Sequence, residues 1–587
     1  MGARRGAVHV VRVRKSHTDK HGQQRDYQSA YLRRTFRENG KVRNETVANL
    51  SSLPADVVDW VEAGLKGQSL VPADQAATVT RSIPHGHVAA AWAQAVALGL
   101  PGLLGPAGRQ RDLAMALIIA RVVHPASKLA TCSWWDDTTL GADLEVAGAS
   151  TDETYAAMDW LLGRQDAIEA KLARRHLAAR VNPHRMALFD LSSSWLEGSH
   201  CPLAARGYSR DHKKGRAQIE YGLLTDPDGR PVAIRVFPGN TADPTAFIDA
   251  VKIVRDRFKL TTMVMVGDRG MITAARIDAL RNKTHLGWLT ALRAPAIKQL
   301  AAAGGPLQPT LFDQHNLAEI SHPDYPDERL IACRNPFLAD ERARKRDELL
   351  AATEDLLAPV RAAVNAGRLH GADQIGLKVG KVINTYKMAK HFDLAITDTT
   401  LTMTRKQEQI AAEAALDGIY VLRTSLPDHT LDPAGVVGAY KNLAHVERDF
   451  RSIKTDDLDL RPIYHRLSDR VRAHVLIVML AAYLTWHLRK TLAPLTFTDQ
   501  HPPTRTDPVA PATRSTTADR KSSRRTDDTG QPVRSFQTLL DHLATLTRNN
   551  IRYGGADGPV VPTLAIPTQT QRHAFELLDT TIPLNLK

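Results

Sequence analysis

Short apolar runs and amphipathic segments alternate through the middle of the chain. Runs of strand length occur at residues 186–191, 219–224, 232–237, 263–267 and 286–292. Helices are predicted between the later runs, at residues 243–258 and 273–281, the first of them with Asp243 as N-cap and Pro244 in the first turn. A further run at residues 418–425 follows a long charged segment.

This order of three strands, a helix, a strand, a helix and a strand predicts an α/β fold with a ribonuclease-H-like mixed sheet and flanking helices. Residues 499–534 are rich in Pro, Thr, Ser and Arg, a composition typical of disorder. The domains that we expect are a basic N-terminal β unit (1–70), a helical domain with possible DNA binding (86–180), the first part of the core (181–293), an insertion domain (294–417), the second part of the core (418–492), a disordered linker (493–534) and a C-terminal tail with a short helix (535–587).

Charge points to a polyanionic partner. The formal net charge is +14, and the first 50 residues alone hold 12 Lys and Arg against 4 Asp and Glu. The three cysteines are far apart, which excludes a disulfide framework and a cysteine zinc site and favours a reducing cytoplasm. The apolar run at residues 475–486 is too short to cross a membrane, so a buried helix is expected there.

One glycine-rich stretch suggests a nucleotide site without providing it. Residues 376–381 read GLKVGK, with the glycines one residue too close for a phosphate loop and no Ser or Thr after the lysine. We therefore expect no ATP site.

Two carboxylates lie at informative positions of the predicted strands. Asp190 is in the middle of the first run, and Asp268 directly follows the run 263–267. Open α/β sheets bind their ligands at the carboxyl ends of strands. The alternative for Asp268 is that it only caps the next turn.

A third carboxylate is predicted on a helix at residues 438–454. Tyr440, Glu447 and Lys454 are seven residues apart and fall on nearly one line of that helix. An apolar stripe beside this line can pack on the sheet, which would place Glu447 at the border with solvent. The alternative is an ordinary charged helix surface.

The arrangement Y-x2-L-x3-E-x6-K, together with the two aspartates, resembles the DDE transposases of bacterial insertion sequences. Within them it is similar to the branch marked by a Y-x2-R-x3-E-x6-K helix, although Leu443 occupies the position of the arginine. Three other stretches carry the same resemblance: GYSRDH at 207–212, FPGNT at 237–241 and GDRG at 267–270. We assign no chemical role to Asp211 or His212 in the first of them.

The resemblance implies that Asp190, Asp268 and Glu447 are the catalytic, metal-binding residues. Three converging carboxylates repel one another unless a cation neutralises them, and oxygen ligands favour Mg²⁺, with Mn²⁺ as a substitute. Two such ions would promote hydrolysis and then attack of the freed 3′-hydroxyl on target DNA. The expected DNA contacts are Tyr440, Lys454, Arg269, Arg448 and Arg451, of which the last two could replace the missing arginine.

The resemblance further implies double-stranded DNA partners, namely terminal inverted repeats and a target, and a homodimer that brings two DNA ends together. It implies a cytoplasmic protein associated with the nucleoid. Two alternatives remain: a metal-dependent DNA nuclease without strand transfer, and a DNA-binding derivative that has lost its chemistry. The presence of both aspartates and the glutamate disfavours the second.

Overall fold

A computed structural model describes residues 6–18, 20, 24–68, 76–178, 180–283, 286–527, 529–554 and 557–587. The chain forms two compact units, one of residues 1–83 and 547–566 and the other of residues 84–546 and 567–587.

The strands are β1 (Ala7–Thr18), β2 (Gln24–Glu38), β3 (Lys41–Asn49), β4 (Ala77–Pro84), β5 (Met186–Trp195), β6 (Gln218–Thr225), β7 (Pro231–Pro238), β8 (Val264–Val266), β9 (Gly287–Ala291), β10 (Leu317–Ile320), β11 (Arg329–Arg334), β12 (Phe392–Ile396), β13 (Leu401–Arg405), β14 (Ile419–Thr424), β15 (Thr547–Tyr553) and β16 (Val560–Leu564). Each predicted strand of the core has its counterpart among β5 to β9 and β14.

The helices are α1 (Ala55–Leu65), α2 (Gly86–Ala97), α3 (Leu100–Leu104), α4 (Arg109–Val123), α5 (Lys128–Trp135), α6 (Thr139–Asp143), α7 (Thr151–Leu162), α8 (Gln165–His176), α9 (Asp243–Lys252), α10 (Ala274–Lys283), α11 (Ala294–Leu300), α12 (Pro336–Asn365), α13 (Ala372–Val382), α14 (Gln407–Ala414), α15 (Pro433–Lys441), α16 (Leu443–Arg451), α17 (Ser468–Thr491), α18 (Thr516–Arg524), α19 (Phe536–Ala544) and α20 (Gln569–Leu577). The GLKVGK stretch lies inside α13.

The smaller unit contains two three-stranded sheets. Strands β1, β2 and β3 form an antiparallel sheet in chain order, as the predicted N-terminal strands require. Strand β4 forms the second sheet with β15 and β16. The C-terminal tail, for which we expected only a short helix, therefore also contains two strands. Residues 547–553 and 560–564 become strands because they pair with each other and the first of them pairs with a strand more than 460 residues earlier, which no local pattern reveals.

The larger unit is organised around an eight-stranded mixed sheet in the order β10-β11-β14-β9-β8-β5-β6-β7. Strands β5, β8 and β9 are parallel neighbours, whereas β6 and β7 extend the sheet in antiparallel pairing. The fold is therefore mixed α/β with a mixed sheet and many helices.

The stretch that we expected as an insertion contributes to this sheet. Strands β10 and β11 pair with each other, and β11 pairs along its length with β14. Residues 336–405 form helices α12 and α13 and the hairpin β12–β13, with apolar clusters of their own. Strand β10 has only four residues, too few for its sequence pattern to show which sheet it joins.

Helices cover both faces of the sheet around β5. Helix α16 packs on one face, where the rings of Tyr221 and Phe450 meet edge to face with centroids 5.8 Å apart. Helix α9 packs on the other face, where Phe189 and Phe247 are 6.3 Å apart. The strands between them are buried on both sides, as the continuous apolar runs indicate.

Helix α17 runs through the core. Among the described residues, α17 is the single helix that is long enough and apolar enough to cross a membrane. Helices α4 and α5, which meet at a bend, would form a second such segment if they were counted as one. Of the most apolar stretch of α17, 83% is buried inside the protein. A helix that is apolar all round and buried in this way is typical of a protein core, which confirms the buried helix expected at residues 475–486.

Two further expectations need correction. The helix predicted at 438–454 is broken at Asn442 and ends in a π-helical turn over residues 452–456. The linker expected to be disordered contains α18, capped by Ser515 and joined to the core by Lys521, whose buried ammonium donates to the Ala493 and Thr496 carbonyls. Composition misled us there because a few long-range contacts suffice to fix a polar segment.

Candidate active site

A cavity of about 1000 Å³ opens between the middle of β5, the end of β8 and helix α16. Asp190, Asp268 and Glu447 all line it, although they come from three distant parts of the sequence. The two aspartates reach the cavity from the sheet, and the glutamate reaches it from the helix packed on that sheet.

The parallel pairing of β5 with β8 positions the two aspartates. Its register runs from Met186 opposite Val264 to Leu188 opposite Val266. Asp190 and Asp268 each come two residues after the last of these pairs, and they are close enough for the charge of Asp268 to act on Asp190. Strand β8 is only three residues long, so Asp268 already lies in the turn that follows it.

Burial dominates the electrostatics of Asp190. Burial, together with the charges of Asp268 and Glu447, raises the pKa of its carboxyl to about 7, against the opposing effects of the Leu191 N–H and of Arg210. The Leu191 backbone N–H donates to Asp190 Oδ1 at 2.8 Å. A carboxyl whose pKa is raised in this way tends to bind a proton, or a metal cation instead of the proton.

Asp268 caps the turn that follows β8, which was the alternative considered from the sequence, and it also lines the cavity. The Gly270 backbone N–H donates to its Oδ2 at 3.3 Å, so the side chain closes the turn after β8. The residue is exposed towards the cavity, and the turn hydrogen bond uses one carboxylate oxygen. Capping the turn and facing the cavity are therefore compatible.

Glu447 lies on the exposed side of a strongly amphipathic helix. Val446 and Phe450 anchor α16 on the sheet, while Glu447 and Arg451 are exposed and line the cavity. Among the described residues, no hydrogen bond or ion pair fixes the Glu447 carboxylate. Its position is set by the helix alone.

The expected DNA contacts divide into two groups. Lys454 and Arg451 line the cavity. Burial, followed by the charge of Asp268, raises the pKa of the half-buried Tyr440, which is therefore close to the acids. Arg269 and Arg448 are exposed but are not part of the cavity lining. Of the two arginines that could replace the one missing at position 443, Arg451 is the one that lines the cavity.

Asp211 is the residue whose role the sequence did not reveal. It is buried, accepts a hydrogen bond of 2.8 Å from the Lys454 ammonium, and is also bonded by the Arg461 guanidinium. Burial lowers the pKa of Lys454 and the Asp211 hydrogen bond opposes that effect. The motif at 207–212 was the available signal, but its partners lie more than 240 residues away.

A second polar cluster lines the opposite wall. Arg210 donates to Asp243 at 2.6 Å and lies 3.5 Å from Glu220, a buried acid whose pKa burial raises to about 7. The backbone N–H of Arg210 donates to Ser193 Oγ at 3.0 Å. Asp243 was expected as an N-cap, but it is the first residue of α9 and makes no capping bond. Its carboxylate binds the arginine instead.

Two glycines explain why the stretches at 207–212 and 237–241 belong together. A Cβ on Gly207 would lie 2.2 Å from the Gly239 oxygen, and a Cβ on Gly239 would lie 1.9 Å from the Gln218 oxygen. The Gln218 amide donates to the Tyr208 and Gly239 carbonyls at 3.0 and 2.9 Å. The backbones approach so closely at this rim that only glycine fits.

The donors fit a hard divalent cation better than any other metal. The acids that line the cavity supply oxygen ligands only, and the half-buried Asp190 lies beside two other carboxylates. Within the described residues, however, no group of three or more His, Cys, Asp or Glu side chains is already closed around a single ion position. The chemistry of the donors suits a metal, and the side chains would have to draw together to bind one.

Two family models match the sequence. The Transposase DDE domain matches residues 192–484, and the N-terminal domain of the IS1634 family transposase matches residues 13–75, so that more than half of the chain is covered. The chain belongs to the DDE transposases of insertion sequences. The prediction of the family from the sequence is thereby confirmed. The transposase is an enzyme of DNA cleavage and transfer, it binds DNA, and its family depends on divalent metal ions.

One solved structure with similarity to the transposase is the cryo-EM structure of the piggyBac transposase synaptic complex with hairpin DNA. The two share 8% sequence identity over 74% of this chain and 70% of that chain, with a TM-score of 0.32. A likeness at that level supports no conclusion about this transposase. No curated protein matches the sequence.

Proposed function

We propose that Asp190, Asp268 and Glu447 hold the divalent cations at which this transposase cleaves and joins DNA. One observation carries the proposal: the three carboxylates, separated by 77 and 178 intervening residues, line one cavity. Chance would seldom bring three acids from such distant segments to one place, because like charges repel.

We further propose that the core is ribonuclease-H-like. The strand order β7-β6-β5-β8-β9, with β5, β8 and β9 parallel and β6 antiparallel between its neighbours, supports this assignment. The first acid is on the central strand, the second follows the next parallel strand, and the third is on a helix packed against that central strand. The domain boundaries from the sequence remain proposals within this framework.

Mg²⁺ is the proposed cation, with Mn²⁺ as a substitute and two ions in the site. When bound, these ions supply activation of the attacking oxygen and stabilisation of the leaving oxygen in an in-line displacement. Asp190 supplies a half-buried anionic ligand, while Asp268 faces the cavity from the turn after β8 and Glu447 faces it from α16. Lys454 and Arg451 hold phosphate charge at the cavity wall, and Tyr440 contacts the DNA beside them.

The exposed Arg269 and Arg448 are proposed as outer contacts to the DNA backbone. The DNA comprises the terminal inverted repeats of the element and a target, brought together by a homodimer. No ATP is required, because transesterification conserves the energy of the phosphodiester bond. The proposed location is the cytoplasm, in association with the nucleoid.

A strand-transfer assay tests the proposal. Purified transposase is incubated with Mg²⁺, a target plasmid and a short duplex that carries a terminal repeat with a pre-cut 3′-hydroxyl. Joined product is expected with the wild type and none with Asp268→Asn. Cleavage without joined product would instead favour a plain nuclease, and activity unchanged by Asp268→Asn would refute the assignment of the three acids.

A further inference from the structure

A second cavity, of about 310 Å³, lies beside the first and has the opposite charge. Its walls come from the end of α4, the start of α5, the loop before α17 and α17 itself. We call it the basic pocket and define it by Arg121, Lys128, Arg461, His465 and His474. Among the described residues that line it, Asp459 is the one acid, so the basic side chains of the lining outnumber its acidic side chains.

Lys128 is the least expected member of the basic pocket. It is 6% exposed, and its ammonium has no acid partner among the described residues. It donates to Nδ1 of His474 at 3.2 Å, a neutral acceptor that is itself buried. Burial, together with the nearby charge of Arg121, lowers the pKa of Lys128 far below its usual range. A buried ammonium in this state is costly unless an anion joins it.

Arg121 is a second buried cation in the lining of the basic pocket. It is 5% exposed and donates to the Ala126 carbonyl at 2.7 Å and more weakly to the Leu458 carbonyl. Backbone carbonyls orient its guanidinium but do not neutralise it. The N-terminus of α5, with its N-cap Ser127 and first residue Lys128, lines the same cavity. Cations and a helix N-terminus together are suited to a phosphate oxyanion.

The basic pocket is connected to the candidate active site through Asp211. Arg461 lines the basic pocket and binds Asp211, and Asp211 binds Lys454 in the wall of the first cavity. At the rim of the basic pocket, Tyr464 is 70% exposed. An exposed aromatic ring beside a phosphate-sized basic cavity is the combination that single DNA strands use, with the phosphate in the cavity and the base on the ring.

We propose that the basic pocket binds a backbone phosphate of the DNA next to the segment held in the candidate active site, with Tyr464 stacked on a neighbouring base. The ligand is a phosphodiester, and Lys128 and Arg121 are the cations that compensate its charge. The pocket is separate from the three acids and needs no metal ion.

DNA binding in EDTA tests this proposal independently of the chemistry. Fluorescence anisotropy with a labelled terminal-repeat duplex carrying a short single-stranded end is measured for the wild type, Lys128→Met and Tyr464→Leu at several salt concentrations. We expect Lys128→Met to weaken binding by about fivefold to tenfold and to reduce the slope of log K against log salt by about one. Tyr464→Leu should weaken binding by a similar factor with an unchanged slope. The matched control is Lys345→Met, an exposed lysine on α12, which should leave affinity and slope unchanged.

Misfolding can be separated from loss of a contact. Methionine replaces a buried, unpaired ammonium by an apolar chain of similar length, so Lys128→Met should be at least as stable as the wild type in a thermal melt. Wild-type affinity and salt slope in Lys128→Met would overturn the proposal. If Lys128→Met lost stabilisation by millimolar inorganic phosphate yet bound DNA normally, the pocket would serve a free anion and the DNA assignment would be wrong. Since no metal is present, none of these results bears on the role of the three acids.

Discussion

The state of Asp190 leads to the sharpest test of the site. Its carboxyl, with a pKa raised from 3.8 to about 7, binds a proton more tightly in the folded than in the unfolded protein. The folded state therefore loses stability from this group as pH rises from about 4 to about 7, and the full cost is present above pH 7. Asp190→Asn removes the charge and hence the cost.

The magnitude follows from the shift. A difference of about three pKa units, at about 1.4 kcal/mol per unit, makes ionised Asp190 cost the metal-free protein about 4 kcal/mol at pH 8. At pH 5 the folded carboxyl is protonated while the unfolded one is ionised, and the cost is about 1.7 kcal/mol. The stability advantage of Asp190→Asn should therefore grow by about 2–3 kcal/mol between pH 5 and pH 8.

Urea unfolding in EDTA at the two pH values measures this difference. Asp278→Asn, at an exposed position on α10, serves as the control and should follow the wild type at both pH values. Adding Mg²⁺ at pH 8 should reduce the advantage of Asp190→Asn from about 4 to about 1.3 kcal/mol, because a ligand at 100 times its Kd stabilises only the protein that binds it, by about 2.7 kcal/mol. An advantage of Asp190→Asn that is equal at pH 5 and pH 8 would refute the reasoning that burial beside two acids controls this carboxyl.

Three further predictions concern the walls of the cavity. Arg451→Ala should weaken DNA binding by about tenfold and Arg448→Ala by less than threefold, measured by anisotropy, because only the first arginine lines the cavity. Asp211→Asn should destabilise the protein by about 3–5 kcal/mol in urea unfolding, because it leaves Lys454 buried without its acid partner. Gly239→Ala should cost about 1–3 kcal/mol in the same measurement and abolish cleavage, because its Cβ would lie 1.9 Å from a carbonyl oxygen.

Each of these has a control within the chain. Equal losses from Arg451→Ala and Arg448→Ala would mean that the cavity does not receive the DNA. Lys454→Met should recover part of the stability lost in Asp211→Asn, since it removes the unpaired cation. Gly438→Ala, at a helical position with open space around its Cβ, should be neutral or stabilising, and a large loss there would mean that the loss in Gly239→Ala cannot be attributed to the short contact.

The sequence predicted the strands of the core because their signal is local. A strand buried on both faces, such as MALFDL in β5, needs an unbroken apolar run whatever its neighbours are. The same locality limited the prediction. Helix periodicity placed Tyr440, Glu447 and Lys454 on one line, but Asn442 interrupts the helix and a π-helical turn carries Lys454. The three residues still reach the same region, although by packing of α16 on the sheet rather than by one straight helix.

Contacts between distant segments were the part that the sequence could not supply. Asp211 looks like any aspartate in a polar loop until the chain brings Lys454 and Arg461 to it. Strand β11 looks like a short apolar stretch of an insertion until it pairs with β14. In both cases the decisive interaction joins residues about 90 to 250 positions apart, and a single sequence contains no record of such pairs.

The open arrangement of the three acids follows from the forces between them. The backbone N–H groups of Leu191 and Gly270 donate to the carboxylates of Asp190 and Asp268, at 2.8 and 3.3 Å, whereas the Glu447 carboxylate has no such bond among the described residues. Repulsion between like charges grows as the distance falls, so without a cation the free energy is lowest when the unfixed carboxylate stays apart. A divalent cation reverses the sign of that interaction. Glu447 should therefore be the ligand that moves when metal binds, because α16 is a short helix between the break at Asn442 and the π-helical turn and its cavity-facing side is exposed.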